Sequence, residues 1–129
     1  MKKMFLIFNH SLTKHQQKDG IYSLKISEFI NLPNNLQKLW QNIPTSIKKI
    51  DSCLQPLQNW LLSNAQQEDY VLIQGDFGAC YLMVNFALKN GYIPVYSTTE
   101  REAVEIHNDD GSIQLHHNVK HCMYREYGG

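Results

Sequence analysis

The sequence lacks most of what marks a secreted, membrane or nucleic-acid-coating protein. It has only three cysteines, Cys53, Cys80 and Cys122, and no C-x-x-C pair. An odd count without paired spacing argues against a disulfide framework or a cysteine zinc site, and predicts a reducing cytoplasm. Neither sign of charge is in excess, because twelve basic residues balance twelve acidic ones. Proteins that coat long DNA or RNA carry a basic surplus, so long nucleic acid is not an expected partner. No apolar run is long enough to span a membrane. The opening Met1 to Phe8 has the basic start of a secretion signal, but its apolar run ends early at Asn9-His10. It therefore predicts a first buried strand. Linkers, repeats and low-complexity segments are also absent, so the 129 residues predict one domain, 1–129.

What is present is an alternation of strand and helix signals. Met4 to Phe8 is a continuous apolar run, as in strands buried on both faces. Thr13 is placed to cap a short polar helix ending near Gly20. Leu24 to Ile30 reads as a second strand. Leu36, Leu39 and Trp40 fall at helical spacing. Ile47, Ile50, Leu54, Leu57 and Leu61 form one apolar stripe, with a kink or a break at Pro56. Lys48 and Lys49 fall off the stripe and read as a solvated face.

The clearest unit follows. Tyr70 to Gln74 reads as a buried strand, Gly75 to Gly78 as a tight turn, Ala79 to Lys89 as an apolar helix and Tyr92 to Tyr96 as another strand. This βαβ pattern predicts parallel strands. Pro94 suggests an edge position or a strand end. Arg101 to His107 and Ser112 to Val119 alternate around Asn108-Asp109-Asp110-Gly111, which predicts a C-terminal β-hairpin. The expected class is α/β, a mostly parallel sheet with flanking helices.

Open α/β sheets bind ligands beyond the carboxyl ends of their parallel strands. Three polar segments should meet there: Asn9-His10-Ser11, Gln74-Gly75-Asp76-Phe77-Gly78 and Ser97-Thr98-Thr99-Glu100-Arg101. Gly75 and Gly78 let backbone approach a ligand, and the following helix start offers N–H groups to an anion. Asp76 would repel phosphate and is better placed as a helix cap or a ribose acceptor. A plain strand-to-helix turn would look the same. His10 can move a proton near neutral pH or serve as a structural histidine. Thr98, Thr99 and Arg101 can bind phosphate oxygens, or form a turn and a surface ion pair. His116, His117 and His121 do not suggest a metal, because on one strand face His117 and His121 stand about 13 Å apart. Cys80 is expected to face the core.

These segments resemble those of small Csx-type CRISPR-associated accessory proteins of type III systems. The resemblance is carried by Met4 to Thr13, by Tyr70 to Tyr81, by Ile93 to Arg101 and by Lys120 to Tyr127, in that order along nearly the whole chain. It implies a Rossmann-like fold related to the CARF domain, a homodimer, and binding of a cyclic oligoadenylate, foremost cyclic tetra-adenylate. Several such proteins are ring nucleases and others only bind the ring.

A ribose 2′-OH held in line with its own phosphate needs little beyond positioning, and no cofactor or metal. On this reading His10 moves the proton, and Arg101 with the N–H groups of Gly75 to Gly78 stabilises charge. Asn9, Ser11, Gln74, Asp76, Phe77, Thr98 and Thr99 complete the binding positions. A two-fold dimer would match the ring's symmetry. The alternatives are a binding module that leaves the ring intact and an unrelated nucleotide- or flavin-binding domain.

Overall fold

A computed structural model describes all residues, 1–129. The elements run β1 (Lys2–Ile7), α1 (Lys14–Leu24), β2 (Ile26–Asn31), α2 (Asn34–Gln41), a 3-10 turn (Asp51–Leu54), α3 (Gln55–Asn64), β3 (Tyr70–Ile73), α4 (Phe77–Lys89), β4 (Ile93–His107) and β5 (Ile113–Glu126). They build one five-stranded sheet in the order β2-β1-β3-β4-β5. The first four strands are parallel and β5 is antiparallel to β4. The mixed α/β class, the mostly parallel sheet and the C-terminal hairpin agree with the sequence.

Strand alternation divides the core between the two sheet faces. Phe5, Ile7, Val71 and Ile73 pack with Trp40, Leu57, Leu61 and Met83 from α2, α3 and α4. Met4, Leu6, Leu72 and Val95 pack with Ile26 and Tyr124 on the face that α1 crosses. Each fully buried Leu, Ile or Phe contributes about 1.5–3 kcal/mol.

Three boundaries differ from the sequence reading, each for a local reason. The α1 helix starts as expected, with the Thr13 hydroxyl accepting from Gln16 N, but it runs through Gly20. A Cβ at Gly20 would fall 2.9 Å from the Phe29 ring, so this glycine serves packing rather than helix ending. Lys25 ends the helix in a left-handed conformation, φ 59°, and displaces the second strand to Ile26–Asn31. The stripe from Ile47 does not form one helix, because the Pro56 ring excludes the carbonyl of Ser52 from helical bonding. Residues 43–50 are irregular, and α3 begins with Pro56 in its first turn. Finally, Pro94 is the second residue of β4, a strand end as expected, though β4 lies inside the sheet.

The largest departure is β4 itself. Ser97 to Arg101 is not a loop, because β4 and β5 stay paired from Val95↔Glu126 to His107↔Ile113. Pairing with β3 ends at Val95, so the rest of the hairpin leaves the sheet as a two-stranded ribbon. From Thr99 to Lys120 every residue except Asn108 is exposed. Ten residues of β4 beyond Ser97 give a reach of about 33 Å.

Polar side chains fix the root of this ribbon. His121 is 7% exposed and hydrogen-bonds Ser97 Oγ through Nδ1. Its Nε2 meets Asp19 Oδ2 at 2.8 Å. Tyr124 donates its hydroxyl to Gln16 O at 2.9 Å, and His15 Nε2 reaches His121 O. Each of these root atoms thus has a partner, and α1 holds the ribbon through bonds whose loss would leave them unsatisfied.

Candidate binding site at the carboxyl edge of the sheet

The strand order reverses between β1 and β3, which makes their carboxyl ends the switch point of the sheet. Residues 8–10 leave β1 there and residues 74–76 leave β3. The turn after β3 is held from several sides. Gln74 N donates to Ile7 O at 3.1 Å. Trp40 Nε1 donates to Gln74 O at 2.9 Å, and the Tyr127 hydroxyl donates to Ile73 O at 2.6 Å. Gln74 Oε1 accepts from Ser97 N at 2.8 Å, so the polar atom left to this side chain is its Nε2 donor.

Gly75 is required by contact. A Cβ there would lie 2.8 Å from Trp40 Nε1 and 3.0 Å from two further indole atoms. Asp76 is the N-cap of α4, its Oδ2 accepting from Ala79 N at 3.0 Å. The capping role read from the sequence is therefore the one it fills. Phe77 and Gly78 begin the helix rather than belong to the turn, and their N–H groups are orphan donors of its first turn.

Asn9 and His10 stand opposite. Asn9 Oδ1 is buried and has no hydrogen-bond partner. An unsatisfied buried acceptor costs about 1–3 kcal/mol until a donor reaches it. His10 is exposed, with its ring edge-on to Phe8 at 5.5 Å. Phe8, Asn9, His10, Gln74 and Gly75 wall a hollow of about 190 Å³. Asn9, His10 and Ser11 also line a neighbouring polar hollow with Asn31, Asn34 and Gln37.

On the other side of Gly75 lies an apolar cavity of about 500 Å³. Gln74, Gly75, Phe77, Cys80, Tyr81 and Val84 form one wall, and Tyr96 and Tyr127 the other. Tyr96 and Tyr127 pack at 4.8 Å between ring centroids, and the Arg125 guanidinium lies 5.6 Å over Tyr96 while donating to its hydroxyl. Burial pushes the Cys80 thiol up to about 11, which outweighs the N–H of Gly75 facing it, so the group stays protonated at neutral pH. Burial, with Cys80 and Tyr96 nearby, likewise pushes the Tyr127 hydroxyl up to about 12. The volume and the aromatic lining suit a planar ring.

The structure thus brings together Asn9, His10, Ser11, Gln74, Gly75, Asp76, Phe77 and Gly78. It does not add the third segment in the expected way. Thr98 Oγ1 is engaged across the ribbon, accepting from Met123 N and donating to Met123 O. Thr99 pairs with His121, and Arg101 faces Val119 on the exposed ribbon. Arg101 is four residues beyond Ser97, about 13 Å along the strand, out of reach of Gln74 in the same chain. The cation beside the cavity is Arg125. The three histidines also separate, since His121 turns inward to Ser97 and Asp19 while His116 and His117 lie on opposite ribbon faces. The sequence reading missed Tyr81, Tyr96, Arg125 and Tyr127, whose signal is spread over three elements.

Fold and site together define an open, mostly parallel α/β protein with ligand-sized hollows at its switch point. The chain belongs to the family described as the uncharacterized protein MJ1673 family, whose profile matches residues 2–125. It is similar to "Uncharacterized protein MJ1673" of Methanocaldococcus jannaschii, 51% identical over 127 residues and covering 98% of each chain. No solved structure matches the chain. No helix is long and apolar enough to cross a membrane.

Proposed function

We propose that this protein is a Rossmann-like, CARF-like receptor for cyclic tetra-adenylate that opens the ring, and that it acts as a homodimer in type III CRISPR signalling. The observation that carries the reading is the unpartnered Asn9 Oδ1 beside His10, set next to an aromatic cavity across Gly75. An adenine ring enters the cavity, and the sugar–phosphate lies over Gly75 toward Asn9 and His10. A ribose hydroxyl supplies the donor that Asn9 lacks.

The chemistry needs few groups. The 2′-oxygen forms a bond to its neighbouring phosphorus, and the bond from phosphorus to the 5′-oxygen breaks. His10 takes the 2′ proton, and the departing 5′-oxygen gains one from solvent. The products are a 2′,3′-cyclic phosphate and a 5′-hydroxyl. The N–H groups of Phe77 and Gly78 and the Arg125 guanidinium stabilise the added negative charge. Arg101 can join only from a second copy.

The ribbon is the surface assigned to that copy. A lone two-stranded ribbon is marginal in water, and this one exposes Val104, Ile106, Ile113, Leu115 and Val119. Its β4 strand carries Glu100, Glu102 and Glu105 against one cation, Arg101, while its β5 strand carries Lys120 and Arg125 with no acid before Glu126. The acidic strand of one copy therefore complements the basic strand of another.

The test is incubation of the purified protein with cyclic tetra-adenylate, with and without a chelator, followed by chromatography. Linear products in both arms are expected. Tight binding with an intact ring over many turnovers overturns the enzyme and leaves a receptor. One observation favours that second reading: His10 has no hydrogen bond orienting its ring.

A further inference from the structure

The carboxyl edge carries four hollows that share walls. The amide-rich one shares Asn9 and His10 with the small hollow, which shares Gln74 and Gly75 with the aromatic cavity. The aromatic cavity in turn shares Tyr81 with a cleft of about 430 Å³ walled by Lys48, Lys49, Asp51 and Gly78. The sequence of surfaces along this line is amide and imidazole, backbone N–H, aromatic, then cationic. A mononucleotide fills one phosphate position and one base position. The groove continues past both.

Its far end has features the fold does not require. Phe77 is 95% exposed and Tyr81 69% exposed, both on the opening turns of α4. Folding gains little from rings left in water, whereas a stacking platform needs them there. The ion pairs of the molecule involve Lys2, His107 and His121, so neither Lys48 nor Lys49 has a carboxylate within ion-pair distance. Their segment is irregular, yet Ile43 and Ile50 anchor it to the core on either side. The two lysines are thus held beside Gly78, at the N–H end of α4. Asp51 cancels one of the two charges and leaves the cleft positive.

We infer that the groove takes an oligonucleotide: one base lies in the aromatic cavity against Tyr81 and Tyr96, and the next phosphate lies on Lys48 and Lys49. This rests on the oligoadenylate reading and adds to it a second phosphate position. The ligand crosses the switch point from Asn9 to Lys49 and is read at both ends of one base. A stacked base and a point charge at a fixed distance select a chain of nucleotides over a single one.

The test compares wild type with Lys48→Gln/Lys49→Gln and with Tyr81→Ala. The probes are adenosine monophosphate, linear tetra-adenylate and cyclic tetra-adenylate, titrated at two salt concentrations. All three residues are exposed, and unchanged thermal melting checks that the variants fold. The lysine variant is expected to weaken both tetra-adenylates about ten-fold or more, and to lower the salt slope by about 1.4, or 0.7 for each lysine. Adenosine monophosphate should change less than about two-fold, since it has no second phosphate position to lose. Tyr81→Ala should weaken every probe. If both variants bind the tetra-adenylates as wild type does, the second phosphate position is overturned while the ring reading stands. If wild type binds linear but not cyclic tetra-adenylate, with lysine dependence, the inference stands and the ring reading falls. Binding of neither tetra-adenylate by wild type overturns both.

Discussion

Gly75→Ala tests the joint between the site and the core. The added Cβ falls 2.8 Å from Trp40 Nε1 and 3.0 Å from Cε2 and Cζ2. Non-bonded heavy atoms settle at about 3.5–4.0 Å, so the indole or the turn must move by more than about half an ångström. Trp40 is 2% exposed, in a core packed too closely to absorb that shift freely. Overpacking of this kind costs about 1–3 kcal/mol. Losing the Trp40 Nε1 to Gln74 O bond adds about 1 kcal/mol. A total near 3 kcal/mol is a large share of the ~5–15 kcal/mol that holds a domain together. It should lower Tm by about 8–12 °C for a chain of this length. Thermal unfolding followed by circular dichroism measures it. Trp40→Phe removes both the clash and the bond, so in that background Gly75→Ala should cost under about 1 kcal/mol, a coupling of about 2 kcal/mol. A Gly75→Ala variant melting within about 2 °C of wild type would refute the reasoning. So would an equal cost in both backgrounds.

The other predictions concern the proton, the ribbon and its root. His10→Ala should slow ring opening by about a hundred-fold or more while changing affinity little, measured by single-turnover cleavage and titration; equal losses would make His10 a binding contact only. Asp19 is held below the usual carboxylate range: its burial acts the other way but is outweighed by hydrogen bonds from Ser23 and His121 and by the charges of His121 and His15. A depressed carboxylate gives stability that is present above the unfolded pKa, near 4, and is lost as pH falls through the folded one. Acid denaturation should therefore erode wild type more than Asp19→Asn, and the gap between them should close below about pH 4; parallel curves from pH 6 to 3 sink the claim. Replacing residues 100–119 by a short turn should turn a dimer into a monomer in sedimentation velocity. A dimer that survives the deletion places the contact elsewhere.

What the sequence made legible was whatever depends on near neighbours. The apolar runs at Met4 to Ile7 and Tyr70 to Ile73 are strands because burial on both faces leaves no room for alternation. Thr13 and Asp76 cap helices because their oxygens reach amides within three residues. The hairpin turn at Asn108 to Gly111 follows from local chemistry as well, with Gly111 at φ 86°. The ribbon was harder. Ser97 to Arg101 reads as a loop because strand patterns assume one buried face, and beyond Thr99 neither face of β4 is buried. The ladder with β5 needs only backbone groups, so Ser97 to Glu100 carry no strand signal, whereas the alternation from Arg101 to His107 does. The Ser97–His121–Asp19 chain was invisible for a different reason: its members are up to 102 positions apart, and each looks like an ordinary surface residue in its own window.

The site divides along the same line, and Gln74 shows why. It reads as the last residue of a strand, with nothing in its neighbourhood to mark it. In the folded chain its backbone N–H bonds to β1, its carbonyl to Trp40 of α2 and its Oε1 to Ser97 of β4. Each partner lies on a different element, so no window of sequence contains more than one of them. Those bonds aim the remaining Nε2 donor and set Gly75 against the indole, between the small hollow and the aromatic cavity that both residues line. The turns after β1 and β3 could be placed from strand order alone, because every sheet of this order converges there. The cavity beside them could not, because Tyr96 and Tyr127 meet only after β4 and β5 have gone out along the ribbon and come back. A change at the ribbon's root, at His121 or Ser97, should therefore be felt at the cavity through Ser97 N and Gln74, without any contact to the ligand.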